Sequence, residues 1–124
     1  MKEIKIKEIN LSNNSPMTII AGLNVLEDET MALDVAEILK EITIKHNVPF
    51  IFKASFDKAN RSSIDSYRGP GLKDGKKIFE SIKKNIDVPI ITDIHEKDHI
   101  EEISQVVDIL QIPAFLCRQT DLIS

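Results

Sequence analysis

Short β-rich apolar runs alternate with helix-period segments along these 124 residues. The runs are Met17 to Ala21, Val48 to Phe52, Val88 to Thr92 and Val106 to Ile112, each of strand length. Between the first two, Met31, Val35, Ile38, Leu39 and Ile42 recur at the spacing of one helix face. That spacing predicts a helix with these side chains inward and Asp28 as its N-cap. Leu72, Ile78, Phe79, Ile82 and Ile86 form a second face. Lys97 to Ser104 is a shorter third, with Ile100 and Ile103 inward. Ahead of them Ile4, Ile6, Ile9 and Leu11 precede the polar break Ser12-Asn13-Asn14-Ser15-Pro16. Residues 1–16 therefore read as a β-hairpin region whose second arm leads into Met17 to Ala21.

Strand–helix alternation implies parallel strands joined by right-handed crossovers. Four β/α units make half of a TIM (β/α)8 barrel, which needs eight strands and about 250 residues. The expected fold is thus α/β: an N-terminal β-hairpin plus about four β/α units, residues 1–124 being the N-terminal half of a single barrel domain. A fourth helix would only be starting at Asp121-Leu122-Ile123-Ser124, and the edges of such a half-sheet would stay unpaired. A complete flavodoxin-like sheet is the alternative, and it would want a fifth strand.

Composition narrows the class. A 42% hydrophobic content suits a globular domain, and no apolar run approaches the ~20 residues of a membrane span. The charged start, Met-Lys-Glu-Ile-Lys-Ile-Lys-Glu, lacks the apolar core of a secretory signal. Cys117 is the single cysteine, so no internal disulfide is possible, which fits a reducing cytoplasm. In its apolar context Cys117 is expected to be a buried, inert thiol. A net charge of -4 and a pI near 5.4 argue against a nucleic-acid surface.

Against that acidic background one segment is cationic. Lys53, Lys58, Arg61 and Arg68 outnumber Asp57 and Asp65 between the second apolar run and Gly69-Pro70-Gly71. Ammonium and guanidinium groups among hydroxyls and an amide (Asn60, Ser62, Ser63) suit phosphate or carboxylate. In a barrel, residues at the C-terminal ends of strands face the active site. That rule selects Gly22-Leu23-Asn24, Lys53 to Ser63, Asp93-Ile94-His95-Glu96 and Gln111 to Phe115. Lys53 ends a buried strand, a costly place for an ammonium unless an anion or a pKa shift compensates, or unless it snorkels outward. Asp93 and His95, two apart, would share a side if the strand continued. His95 reads as a catalyst or as a structural hydrogen-bonder. Phe115 reads as an apolar wall or as core, and Asn24 as a ligand group or a turn residue. His46 and His99 look like ordinary surface residues. No convincing metal spacing occurs.

The stretch Lys-Ala-Ser-Phe-Asp-Lys-Ala-Asn-Arg-Ser-Ser with Tyr-Arg-Gly-Pro-Gly resembles the signature loop of 3-deoxy-D-manno-octulosonate 8-phosphate synthases. Gln111-Ile-Pro-Ala-Phe-Leu-Cys-Arg-Gln-Thr-Asp-Leu resembles the same family, and the likeness runs from about Ala21 to Leu122. It implies a transferase that condenses phosphoenolpyruvate with D-arabinose 5-phosphate in lipopolysaccharide biosynthesis. It also implies a cytoplasmic homotetramer, with no nucleic-acid or membrane partner. On this resemblance Lys53 and Lys58 meet phosphoenolpyruvate. Asn60, Arg61 and Ser62 hold the sugar phosphate, with Arg61 reaching in from a neighbouring subunit. Asp93 accepts from sugar hydroxyls, while Gln111, Pro113, Ala114 and Phe115 surround the pyruvyl group. Lys58, Asp93, His95 and Asn24 are the expected catalytic set. Asn24 stands where another subclass has a metal-binding cysteine, which implies a metal-independent enzyme without cofactor. The family's remaining phosphate ligands and catalytic groups belong to a second half, so these residues alone are not expected to turn over. The sister enzymes using erythrose 4-phosphate typically carry Lys-Pro-Arg-Thr-Ser, unlike Ala59 to Ser63. A non-catalytic remnant is the other reading.

Overall fold

In a computed structural model describing residues 2–124, two sheets and four helices follow the expected order. Strands β1 (Ile4–Ile6) and β2 (Ile9–Leu11) pair antiparallel through a turn at Lys7-Glu8, where Lys7 takes φ 50°. The break Ser12 to Pro16 then leads into β3 (Ile19–Gly22) of a separate sheet. That sheet has the order β3-β4-β5-β6, with β4 at Phe50–Lys53, β5 at Ile90–Asp93 and β6 at Ile109–Gln111. Every pairing in it is parallel. Helices α1 (Glu29–Lys45), α2 (Gly71–Asn85) and α3 (Asp98–Ile103) form the crossovers, and α4 (Thr120–Ile123) follows β6. These are four consecutive β/α units of a TIM barrel.

The register divides the sheet into two faces. Ile19 pairs with Phe50, Ala21 with Phe52, Phe52 with Ile90, and Thr92 with Leu110. This face carries the core, where Phe50, Phe52 and Ile90 meet Ile78, Phe79 and Ile82 of α2 and Ile103 of α3. Burying each large apolar side chain contributes roughly 1.5–3 kcal/mol, so this face holds the helices on. The opposite face carries Ile20, Gly22, Ile51, Lys53, Ile91, Asp93, Ile109 and Gln111. It corresponds to a barrel interior, and among the described residues β3 and β6 each have one strand neighbour.

Helix α1 departs from expectation. Its N-cap is Asp28, whose side chain accepts from the Met31 amide at 2.8 Å. The buried positions, however, are Ala32, Ala36 and Thr43, while Met31, Ile38 and Ile42 are exposed. Both sets fall at helical spacing on different faces of the helix, and the face of small residues is the one that meets the core. Thr43 is tolerated there because its hydroxyl donates to the Leu39 and Lys40 carbonyls. Leu39 and Val35 pack at the margin as expected. Helices α2 and α3 bury the expected faces, with Ile86 capping α2.

Candidate functional site

Two short strands place the centre of the site. Lys53 closes β4 and Asp93 closes β5, and their pairing partners put both side chains on the open face. The Lys53 ammonium donates to Asp93 Oδ1 at 3.0 Å and to the Ser55 hydroxyl at 3.1 Å. Ser55, fully buried, donates in turn to Asp93 Oδ1 at 2.5 Å. One carboxylate oxygen is therefore taken by two donors. The other, Oδ2, lies 3.3 Å from His95 Nε2. Burial pushes the Asp93 carboxyl upward, but the Ser55 and Lys53 donors outweigh it and hold the group below its ordinary range. For Lys53 the balance differs: burial lowers the ammonium more than Asp93 raises it, and nearby Lys58 lowers it further. The compensation expected for a cation at a buried strand end is this ion pair.

The cationic loop is closed at its neck. Arg68 grips Asp57 through two bonds of 2.6 and 3.0 Å. The Lys58 amide donates to the Arg68 carbonyl at 2.7 Å, and the Gly71 amide to the Phe56 carbonyl at 3.0 Å. The Arg68 bond holds the Asp57 carboxyl below its usual range despite burial, and the same pair raises Arg68. Inside the loop, Arg61 Nη1 donates to the Lys58 carbonyl at 2.8 Å. Phe56, with no exposed surface, supports the other side of the site: the His95 and His99 rings meet it edge-on at 6.4 and 5.6 Å. The Nδ1 atoms of both histidines are buried and have no hydrogen-bond partner among the described residues. His99 is thus a packed residue, not the ordinary surface histidine its sequence position suggested, whereas His46 is exposed as expected.

A cleft of about 770 Å³ opens at the C-terminal ends of β4, β5 and β6. Ten of the twelve candidate residues line it: Lys53, Lys58, Asn60, Arg61, Asp93, His95, Gln111, Pro113, Ala114 and Phe115. Asn24 and Ser62 are not among the lining residues, and both side chains are exposed. Phe115 is 81% exposed at the cleft, which favours the wall over the core. Cys117, expected to be buried, is exposed. It caps a 3-10 turn at Ala114–Leu116 in which no residue is buried. Three contributors stand outside the expected catalytic and binding set, although Arg68 belongs to the cationic segment and Ser55 and Glu96 fall in the strand-end segments that the barrel rule selects. Arg68 and Glu96 line the cleft, and Ser55 ties its central ion pair. The place of Ser55 two residues after a strand-end lysine was the available signal.

Chemically, the cleft offers cations for anions and a carboxylate–imidazole pair for hydroxyl groups. Among the described residues no group of three or more His, Cys, Asp or Glu side chains is placed to hold a metal ion. Nor is any described helix long and apolar enough to cross a membrane.

A parallel β/α sheet with polar groups converging at its C-terminal edge defines a barrel of the kind used by many phosphate-handling enzymes. Residues 2–124 match the family model of the DAHP synthetase I family, and the chain belongs to that family. It is 58% identical over 120 residues to a protein of Pseudoalteromonas translucida named 2-dehydro-3-deoxyphosphooctonate aldolase, covering 97% of this chain and 42% of that one. Proteins of the same name from Colwellia psychrerythraea and Hahella chejuensis are 53% and 52% identical, over 99% of this chain and 44% of theirs. The chain thus spans less than half the length of these relatives.

Proposed function

We propose that these residues form the N-terminal half of a single (β/α)8 domain of a 3-deoxy-D-manno-octulosonate 8-phosphate synthase. The reaction is condensation of phosphoenolpyruvate with D-arabinose 5-phosphate, a cytoplasmic step of lipopolysaccharide biosynthesis. One observation carries the reading: the loop with the signature sequence lies at the strand ends, facing the Lys53–Asp93–His95 cluster across one cleft. The names of the relatives point the same way.

In this reading the enol carbon of phosphoenolpyruvate attacks the aldehyde, water adds at the neighbouring carbon, and phosphate leaves with carbon–oxygen cleavage. Placing two mutually repelling anions is the main task of this half. Lys53 and Lys58 attract phosphoenolpyruvate, and Asn60, Arg61 and Ser62 hold the sugar phosphate. Asp93 Oδ2, the oxygen left free by Lys53 and Ser55, accepts from a sugar hydroxyl beside His95. Gln111, Pro113, Ala114 and Phe115 wall the pyruvyl group. Asn24, a neutral carboxamide and a poor transition-metal ligand, fits a metal-independent reaction. The complete enzyme would be a homotetramer in which Arg61 serves a neighbouring subunit.

The test is a chimera joining this chain to the remaining segment of the Pseudoalteromonas translucida relative. It should consume phosphoenolpyruvate only with arabinose 5-phosphate and keep its activity after exhaustive chelation. Better turnover of erythrose 4-phosphate would overturn the substrate assignment. Inactivation by chelator, reversed by added zinc, iron or manganese, would overturn metal independence.

A further inference from the structure

His95 is held by two neighbours. One is Asp93, whose Oδ2 lies 3.3 Å from the imidazole Nε2. The other is Phe56, which meets the ring edge-on, with centroids 6.4 Å apart and planes at 80°. Phe56 has little freedom to yield. It has no exposed surface, its carbonyl accepts from the Gly71 amide at 3.0 Å, and the His99 ring packs against it at 5.6 Å. Helix α2 comes so near that a Cβ on Gly75 would stand 2.5 Å from that of Phe56. A functional imidazole is usually oriented by a hydrogen bond at its second nitrogen. Here Nδ1 is buried and has no partner among the described residues, so the aromatic edge takes over that task. The groups of this chain already enclose Nδ1, and no further segment can reach it without displacing them.

This enclosure decides where the neutral imidazole keeps its proton. On Nδ1 the proton would be buried with no acceptor, whereas on Nε2 it faces a carboxylate oxygen. With Nε2 protonated, the ring's lone pair sits at Nδ1, where substrate cannot touch it. A general base needs its lone pair within reach of the proton it removes. We propose that His95 is a positioning residue and not a proton carrier: clamped by Phe56, it presents its Nε2 proton to Asp93 Oδ2 and leaves the second lone pair of that oxygen to the cleft. Lys53 and Ser55 hold Oδ1, so both oxygens of the carboxylate are fixed from within the protein. A sugar hydroxyl then meets an acceptor that needs no reorientation. Only the identity of the sugar, arabinose 5-phosphate, rests on the function proposed above; the tautomer does not.

The chimera described above, isotopically labelled at its histidine nitrogens and free of substrate, gives the first test by nitrogen magnetic resonance. The His95 signals, identified by their loss in His95→Gln, should show a protonated Nε2 and an unprotonated Nδ1 at neutral pH. Phe56→Leu, which removes the aromatic edge but keeps an apolar side chain, should turn them into a mixture of the two tautomers. Steady-state rates give the second test. His95→Leu should raise the KM for arabinose 5-phosphate about tenfold, the order of one lost charge-assisted bond, with kcat changed less. His95→Gln, whose amide nitrogen can take the place of Nε2 and still donate, should recover most of that loss. A protonated Nδ1 in the parent spectrum would overturn the proposal. So would kcat losses of about a hundredfold or more in both His95 variants, the mark of a missing acid–base group. A Phe56→Leu spectrum identical to the parent's would remove the clamp. Failure of the chimera to use arabinose 5-phosphate would overturn the substrate assignment instead, with the nitrogen spectrum still deciding the role of His95.

Discussion

Individual residues here answer to competing terms of similar size. Asp57 shows the balance clearly: Arg68 pulls its carboxyl down while burial pushes it up, and the bond wins. A carboxyl depressed in the folded state contributes stability that is present above the unfolded value of about 3.9. That stability is lost as pH falls through the lower folded value. Asp57→Asn should therefore lose less stability between pH 7 and pH 3 than the parent, measured by urea midpoints at both. Gly75 sets propensity against space. Alanine would gain about 1 kcal/mol of helix propensity. Its Cβ would sit 2.5 Å from that of the buried Phe56, however, and overpacking of this kind costs about 1–3 kcal/mol. Gly75→Ala should be net destabilising in thermal unfolding, and a more stable variant would show that α2 moves freely. At this scale much of the site was legible, because ionisable groups at strand ends are expensive without a purpose. Ser55 was not, since a lone serine costs nothing to place in a sequence. What distinguishes it is burial against two charged partners.

Elements were legible in kind and order, and their faces and bounds less so. The runs beginning Val48-Pro49 and Val88-Pro89 were read as strands from their first residue. The strands begin at Phe50 and Ile90 instead. Each is preceded by a turn residue with positive φ, Asn47 at 53° and Asp87 at 54°. The proline carbonyls accept from Ile19 and Phe52 at the sheet entrance, a role that needs no proline N–H. In α1 the heavier stripe drew the assignment, yet close packing on a sheet rich in phenylalanine favours alanine on the inner face. The cap was legible because its chemistry is local. Asp28→Ala should cost about 0.5–2 kcal/mol of stability by removing an acceptor from the first turn. Chemical denaturation checks this, and the same substitution at exposed Asp34, mid-helix, is the control.

For the molecule as a whole, a net charge of -4 coexists with a cleft carrying Lys53, Lys58, Arg61 and Arg68. Pairing decides which of these cations are free. Lys53 is bound to Asp93 and Arg68 to Asp57, whereas Lys58 and Arg61 have no carboxylate within 4.0 Å among the described residues. An incoming phosphate should therefore be met first by Lys58 and Arg61, the paired cations serving to hold the loop and the strand ends in place. Titrating this chain with inorganic phosphate, followed by amide shifts in the nuclear magnetic resonance spectrum, should perturb Lys58 to Ser62 before β4. Arg61→Ala and Lys58→Ala should each weaken binding by roughly 1.5–3 kcal/mol, the worth of a hydrogen bond to a charged group. That is about tenfold or more in Kd. Arg68→Ala should instead lower stability and disorder the loop neck. Raising ionic strength should weaken the interaction, since an open cleft is screened over about 10 Å at 0.1 M salt. Equal losses from Arg61→Ala and Arg68→Ala at unchanged stability would mean that the Asp57 pairing does not withdraw Arg68 from the anion, and that the division between holding and binding cations is wrong.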